Sequence, residues 1–157
     1  IREHVVSFLK NNGFLAVAPM SSPLFEVLQS EKVGFTSNWS ERHVAYAAGL
    51  GTFGLSRGLI TQRGIAIRCG SVVTNLQLPP SPRPYAHFQE HCLFYNSGTC
   101  GKCITRCPAG AISEEGHDKD RCMTHCSEIM QMCDEYDADM PGCGLCQTGV
   151  PCEAKIP

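Results

Sequence analysis

Ten of the eleven cysteines fall after residue 91, and their spacing could do chemistry. Cys92-x7-Cys100-x2-Cys103-x3-Cys107-Pro108 comes first, and Cys143-x2-Cys146-x5-Cys152 follows after a long interval. Thiolates are the ligands of choice for iron–sulfur clusters and zinc. A cubane cluster needs four of them at the corners of a tetrahedron, and a short C-x2-C loop supplies only neighbouring corners. Remote cysteines must complete each set, so the two groups are expected to interlock.

Two-cluster ferredoxins of bacteria achieve this with C-x2-C-x2-C-x3-C-Pro, whose fourth cysteine ligates the other cluster. Cys100, Cys103 and Cys107-Pro108 match the end of that run, while residues 93–99 replace its first two-residue interval. Asn96-Ser97-Gly98 is a turn signal that would fold this insertion back and bring Cys92 beside Cys100. The expected ligand sets are Cys92, Cys100, Cys103 and Cys152 for one [4Fe-4S] cluster, and Cys107, Cys122, Cys143 and Cys146 for the other. Cys126 and Cys133 are read as packing against the cluster surround. A structural zinc domain is the weaker alternative, because zinc pairs are typically separated by roughly 15–20 residues whereas residues 104–142 part Cys103 from Cys143. A disulfide framework fits poorly with 11 cysteines, an odd number, and with no visible secretory leader.

The elements that must position these thiols are read in chain order. An amphipathic helix starts at Ile1, with Ile1, Val5, Phe8 and Leu9 on one face and Gly13 at its left-handed close. Residues 14–18 read as a buried strand, and Ser22-Pro23 as the start of a second short helix through Leu24, Val27 and Leu28. Ser40 is a candidate N-cap for a helix over 41–48, stopped by Gly49. Gly49-Leu50-Gly51-Thr52-Phe53-Gly54 spells G-x-G-x-x-G. A dinucleotide fingerprint needs a strand before the glycines and a helix after, and here the order is reversed, with the strand 59–61 following. A glycine loop closely approached by a flat cofactor or another backbone is the retained reading.

Residues 65–69 and 71–76 read as strands broken at Gly70, with Cys69 a small buried hydrophobe. Residues 79–84, four of them proline, form a stiff linker that is expected to part an α+β domain over 1–78 from an iron–sulfur domain over 85–157. Beyond it come a helical turn over 108–112 and a helix over 118–132 that carries Cys122, Cys126 and Cys133 on one face. Asp134, Glu135, Asp137 and Asp139 read as a solvated acidic loop that could dock a basic redox partner.

Composition excludes several classes. A net charge of −2 lacks the basic excess that phosphate backbones require, so nucleic acid is not expected as the main partner. The apolar runs are too short to span a bilayer, and the many thiols suit a reducing cytoplasm. Glu41-Arg42-His43 is the one titratable cluster beside the glycine stretch and so a candidate pocket. The remaining histidines, His87 and His91 included, read as surface or packing groups.

Glu41-Arg42, the Ala48–Gly54 stretch, Leu59-Ile60-Thr61, Gly70-Ser71, Thr74-Asn75-Leu76-Gln77-Leu78 and Cys100-x2-Cys103-x3-Cys107-Pro108 occur in an order that resembles the epoxyqueuosine reductases and the related corrinoid reductive dehalogenases. The likeness runs from about residue 37 onward. It implies part of a nitroreductase-like α+β domain followed by a ferredoxin-like module with two [4Fe-4S] clusters. It also implies cobalamin in the full-length protein, with Glu41, Arg42, Gly49, Gly51, Gly54, Gly70 and Ser71 as its cofactor residues, and interleaved cluster ligands. Where that family carries a catalytic aspartate this chain has Phe35-Thr36-Ser37-Asn38, so no catalytic residue is assigned. The chain is expected to be the electron-delivering part of a corrinoid-dependent oxidoreductase served by a redox partner protein; the alternative is a non-catalytic ferredoxin-like carrier or docking module.

Overall fold

The structure is a computed structural model that describes residues 1–130 and 142–157. These form two units, one of Ile1–Leu50 with Arg68–Pro84, the other of Gly51–Ile67 with Tyr85–Pro157. The division corrects a cut at 79–84. Residues 51–67 belong with the cysteine region because Leu55, Ile60 and Ile65 share one core with Cys92, Ile112 and Val150.

In the first unit, helix α1 (Arg2–Asn11) buries Val6 and Leu9. Val5 and Phe8, expected on the inner face, are exposed. Gly13 closes the helix at φ +84°, a conformation that costs glycine nothing. The expected strand over 14–18 shrinks to β1 (Ala16–Val17), whose neighbours differ: Ala18 is buried, Leu15 exposed. It pairs antiparallel with β6 (Val73–Thr74), and Asn75 Oδ1 accepts from the Leu15 N–H at 2.8 Å.

No helix follows Ser22-Pro23. Val27 and Leu28 instead open β2 (Val27–Ser30), paired antiparallel with β3 (Gly34–Ser37). Asn38 clasps the base of this hairpin: its Oδ1 accepts from the Glu26 N–H at 3.1 Å and its Nδ2 donates to the Leu24 carbonyl at 2.7 Å. Side-chain bonding of this kind gives the backbone an alternative to helix.

Helix α2 (Glu41–Ala47) lies where expected, with Gly49 at φ +80° past its end. Ser40 occupies the N-cap, but its hydroxyl bonds His43 Nδ1 at 2.7 Å rather than the helix backbone. The proline stretch is tied to this helix end, since Arg83 donates to the Ala47 carbonyl at 3.2 Å and lies over the Tyr46 ring.

The second unit is built on a hairpin. Strand β4 (Gly51–Phe53) pairs antiparallel with β5 (Leu59–Thr61), so half of the G-x-G-x-x-G stretch is strand. Any Cβ at Gly51 would run into the Ile60 backbone, which is why glycine stands there. Thr52 is fully buried, and its hydroxyl accepts from the His91 N–H at 2.9 Å, while the His91 ring bonds the Ile60 carbonyl at 3.0 Å. The histidine before Cys92 is therefore a packing group. Residues 65–69 form no strand; Gly64 turns the chain at φ +82° and Ile65 enters the core.

The insertion 93–99 holds helix α3 (Leu93–Ser97), closed by Gly98 in the left-handed region, rather than a plain turn. Helix α4 (Lys102–Arg106) follows. The helical turn expected over 108–112 is replaced by β7 (Ile112–Ser113), which pairs with β8 (Gly116–His117). Helix α5 (Lys119–Met130) is capped by Asp118, whose Oδ1 accepts from the N–H groups of Asp120 and Arg121, each at 3.0 Å. Cys133 and the acidic loop lie outside the described residues.

Candidate metal centre

Four backbone devices bring the cysteines together in the second unit. Cys92 precedes α3 and Cys100 follows its glycine stop, so the helix folds the x7 interval back. Cys103 sits inside α4 and Cys107 at its end, where the Cys107 sulfur accepts from the Ala111 N–H at 3.3 Å. Cys122 lies in α5 with Cys126 one turn on. Cys143 and Cys146 flank the start of a short 3₁₀ turn (Leu145–Gln147).

Arg106 ties that turn to α4, its Nε donating to the Thr148 carbonyl at 2.8 Å. Cys152 is held from the hairpin side, with its carbonyl accepting from Ile65 N–H at 2.8 Å and that of Glu153 accepting from Ala66 N–H at 3.2 Å. Gly64 is needed there, because a Cβ would strike the Glu153 backbone. Glu153 in turn accepts from the Gly149 N–H through Oε2 at 2.8 Å.

Electrostatic neighbourhoods sort the thiols. Burial pushes Cys103 up to about 11, and the thiolates nearby that add to this are Cys92, Cys100 and Cys152. Cys152 is pushed up to about 11, mainly by burial, with Cys92, Cys100 and Cys146 adding. Burial likewise raises Cys146, whose neighbours are Cys107 and Cys143. Cys122 rises to about 11 through burial and then through Cys126 one turn on, with Cys146 and Cys107 adding. Charge interactions thus link Cys92, Cys100, Cys103 and Cys152 on one side and Cys107, Cys122, Cys126, Cys143 and Cys146 on the other, with Cys146 also acting on Cys152.

Cys92, Cys100, Cys103, Cys146 and Cys152 line one cavity whose remaining wall is Leu55, Ile60, Ile65, Phe94 and Val150 among others. Thiols in such a wall bear the burial cost of charge until a cation takes it up. An all-sulfur donor set fits iron–sulfur clusters. Among the described residues no three His, Cys, Asp or Glu converge as a single ion would require. A cubane spreads its thiolates around a four-iron body, so grouping about a cavity is the pertinent geometry.

The other expected cofactor residues are divided between the two units. Gly49, with Glu41, Arg42, Gly70 and Ser71, falls in the first unit and Gly51 and Gly54 in the second. The Cβ side of each glycine is taken by the chain itself: Gly49 by the Pro82 carbonyl at 2.6 Å, Gly54 by Ile60 and Ile65, Gly70 by Arg2 at 3.0 Å. Ser71 accepts from Trp39 Nε1 at 3.0 Å. Glu41 is 9% exposed; Oε1 pairs with Arg2 at 3.4 Å and Oε2 is buried without a hydrogen bond. Cys69 is half-buried, its thiol pushed up by burial and then by Glu41, with Arg42 opposing. Sequence reasoning missed the β4–β5 turn, which places the buried Ser56 in the cavity that Cys146 lines; a serine between glycines gives no signal of this.

No helix among the described residues is long and apolar enough to cross a membrane. No family model and no solved structure matches the chain. Among curated proteins it is similar to the epoxyqueuosine reductase of Bacillus anthracis, 31% identical over 123 residues covering 74% of this chain and 30% of that protein. The epoxyqueuosine reductase of Synechocystis sp. is 32% identical over 133 residues, 79% of this chain and 43% of that protein. That of Bacillus subtilis is 27% identical over 134 residues, 80% of this chain and 32% of that protein. The chain therefore spans about a third of the length of the relatives it matches, and over that span it belongs, as a divergent member, to the epoxyqueuosine reductase-like family.

Proposed function

We propose that this chain is an iron–sulfur electron-transfer segment of a reductase, holding one [4Fe-4S] cluster on Cys92, Cys100, Cys103 and Cys152 and a second on Cys107, Cys122, Cys143 and Cys146. The observation that supports this is that Cys92, Cys103, Cys107, Cys146 and Cys152, distant in sequence, pack on one apolar core. Kinship with proteins named reductases supports a redox role. The clusters, when bound, would supply one-electron transfer at potentials set by their surroundings.

The chain's own part is positional. Helix α3 returns Cys100 toward Cys92, α4 gives Cys103 to one set and Cys107 to the other, and the Ile65–Cys152 bond fixes the most remote ligand. The apolar wall of Leu55, Ile60, Ile65 and Val150 excludes water from the first set. In this reading residues 85–157 act as a ferredoxin-like module completed by residues 51–67, and the first unit as part of a nitroreductase-like domain. A cytoplasmic redox protein would donate the electrons. No step is assigned to a corrinoid.

Iron, acid-labile sulfide and zinc per chain after anaerobic purification test the proposal. About eight irons and eight sulfides are expected. Zinc without sulfide would overturn it and leave a structural metal domain.

A further inference from the structure

Arg106 stands in α4 between Cys103 and Cys107 and spends its side chain on the turn that carries Cys146. Nε donates to the Thr148 carbonyl at 2.8 Å and to the Leu145 carbonyl at 3.4 Å, and Nη2 donates to the Thr148 hydroxyl at 3.3 Å. All three acceptors are neutral, and among the described residues no carboxylate pairs with this guanidinium. Gly149, at φ +64°, completes the seat: a Cβ there would meet Cζ at 3.1 Å and Nε at 3.2 Å. The turn does little to hold itself, with Gln147 N–H to the Gly144 carbonyl at 2.9 Å and Thr148 N–H to the Leu145 carbonyl at 3.4 Å. Cys103, Cys107 and Cys146 also pack on one core, but apolar burial has no direction. A planar guanidinium fork has one, and lysine cannot reproduce it.

Resting on the thiol metal centre of the proposed function, we propose that Arg106 is a positioning residue that assembles this centre ahead of the metal, by docking the turn that carries Cys146 onto the helix that carries Cys103 and Cys107. Every partner in the tie is a protein atom, so the tie forms in the folded chain without help from a metal. Groups around a ligand set that fix its orientation strengthen metal capture, because fewer thiols are left to be ordered when the metal arrives. Arg106 thereby bridges the cysteine stretches 92–107 and 143–152, which residues 108–142 part in sequence. It orders sulfur without ligating metal.

The test is alkylation of the anaerobically prepared, metal-free full chain by iodoacetamide, read cysteine by cysteine in a mass spectrometer. In Arg106→Ala, Cys146 is expected to react about tenfold faster than in wild type, while Cys92, buried in the core, stays slow. Added guanidinium ion, too dilute to denature, should restore the slow rate, and Arg106→Lys should not. Gly149→Ala should reproduce the fast Cys146 by crowding the guanidinium out, whereas Gly144→Ala, at the same φ of +64° with nothing within 4 Å, should not. Equal Cys146 rates in wild type and Arg106→Ala, full protection in Arg106→Lys, or equal acceleration at Cys92 would overturn the proposal. Should Arg106→Ala fail to fold, the glycine pair decides it. Supplied with ferrous iron and sulfide, Arg106→Ala should load at roughly a tenth of the wild-type rate, and loading at the full rate would overturn the proposal too. If wild type takes up no sulfide, the iron–sulfur reading fails by itself, because the alkylation rates are measured without metal.

Discussion

Gly64→Ala should uncouple the most remote ligand of the first cysteine set, and the size of its effect can be worked from geometry. Gly64 stands at φ +82°, where an L side chain costs roughly 1–2 kcal/mol. Its Cβ would also strike the Glu153 backbone. That backbone cannot retreat without stretching the bonds from Ile65 N–H to Cys152 and from Ala66 N–H to Glu153, 2.8 and 3.2 Å long. Each contributes about 1 kcal/mol, so the total reaches about 3–4 kcal/mol, less about 0.4–1 kcal/mol recovered from the stiffer unfolded chain.

Gly13→Ala is the matched control. Gly13 has nearly the same φ, +84°, but nothing lies within 4 Å of its Cβ. It should cost only the conformational part, about 1 kcal/mol after the same unfolded-state offset. The assay uses two signals in one denaturant titration. Cluster absorbance near 400 nm reports the second unit, and fluorescence of Trp39, the single tryptophan, reports the first. Gly64→Ala should bleach early and be purified with roughly half the wild-type iron, whereas Gly13→Ala should keep its iron. Full iron and an unshifted bleaching midpoint in Gly64→Ala would refute the claim that this glycine holds Cys152 in place.

Three further outcomes follow from the same structure. Burial holds the Cys103, Cys122 and Cys152 thiols at about 11, whereas an unfolded chain sheds such protons near 8.5. The metal-free protein should be fully stable below that pH and lose stability as pH climbs toward 11, and a denaturation midpoint that rises over this window would contradict it. Asn38→Ala removes both side-chain bonds that clasp the β2–β3 hairpin. A loss of about 1–2 kcal/mol is expected in the Trp39 transition, and no loss would mean that the hairpin is held by its strand pairing alone. Arg2→Ala strips the partner from a nearly buried Glu41 carboxylate; because Arg2 is itself a third exposed, the cost should fall to about 1–3 kcal/mol. Adding Glu41→Gln should recover much of that cost in a double-mutant cycle, and purely additive losses would argue against the pair.

The cysteine region was legible because its information is carried by residue type and order. Thiols at C-x2-C and C-x3-C-Pro spacing leave few ways to surround a cluster, and the neighbours of Cys103 are the three partners that the spacing suggests. Helix α2 and Gly13 were legible for a similar reason, since caps and left-handed stops are local. What local reading missed was decided across space. Val27 and Leu28 fit a helix face as readily as a strand, and Asn38, ten residues on, tips the balance. The strand pattern at 65–69 lost because no strand among the described residues pairs with it and Ile65 is claimed by the core.

The glycine stretch shows why motif spelling and function diverge. Gly49, Gly51 and Gly54 look like one loop in sequence, yet they serve three needs: a helix stop, a tight approach to the Ile60 backbone, and room for Ile60 and Ile65 side chains. At Gly49 and Gly51 the need is a backbone demand of this chain itself. The same segment places Ser56 in the cavity that Cys146 lines and, through Ile65, steadies Cys152. A segment set apart from the cysteines in sequence thus holds Cys152 in place. Damage to β4–β5 should therefore be read out in iron before it is read out in fold.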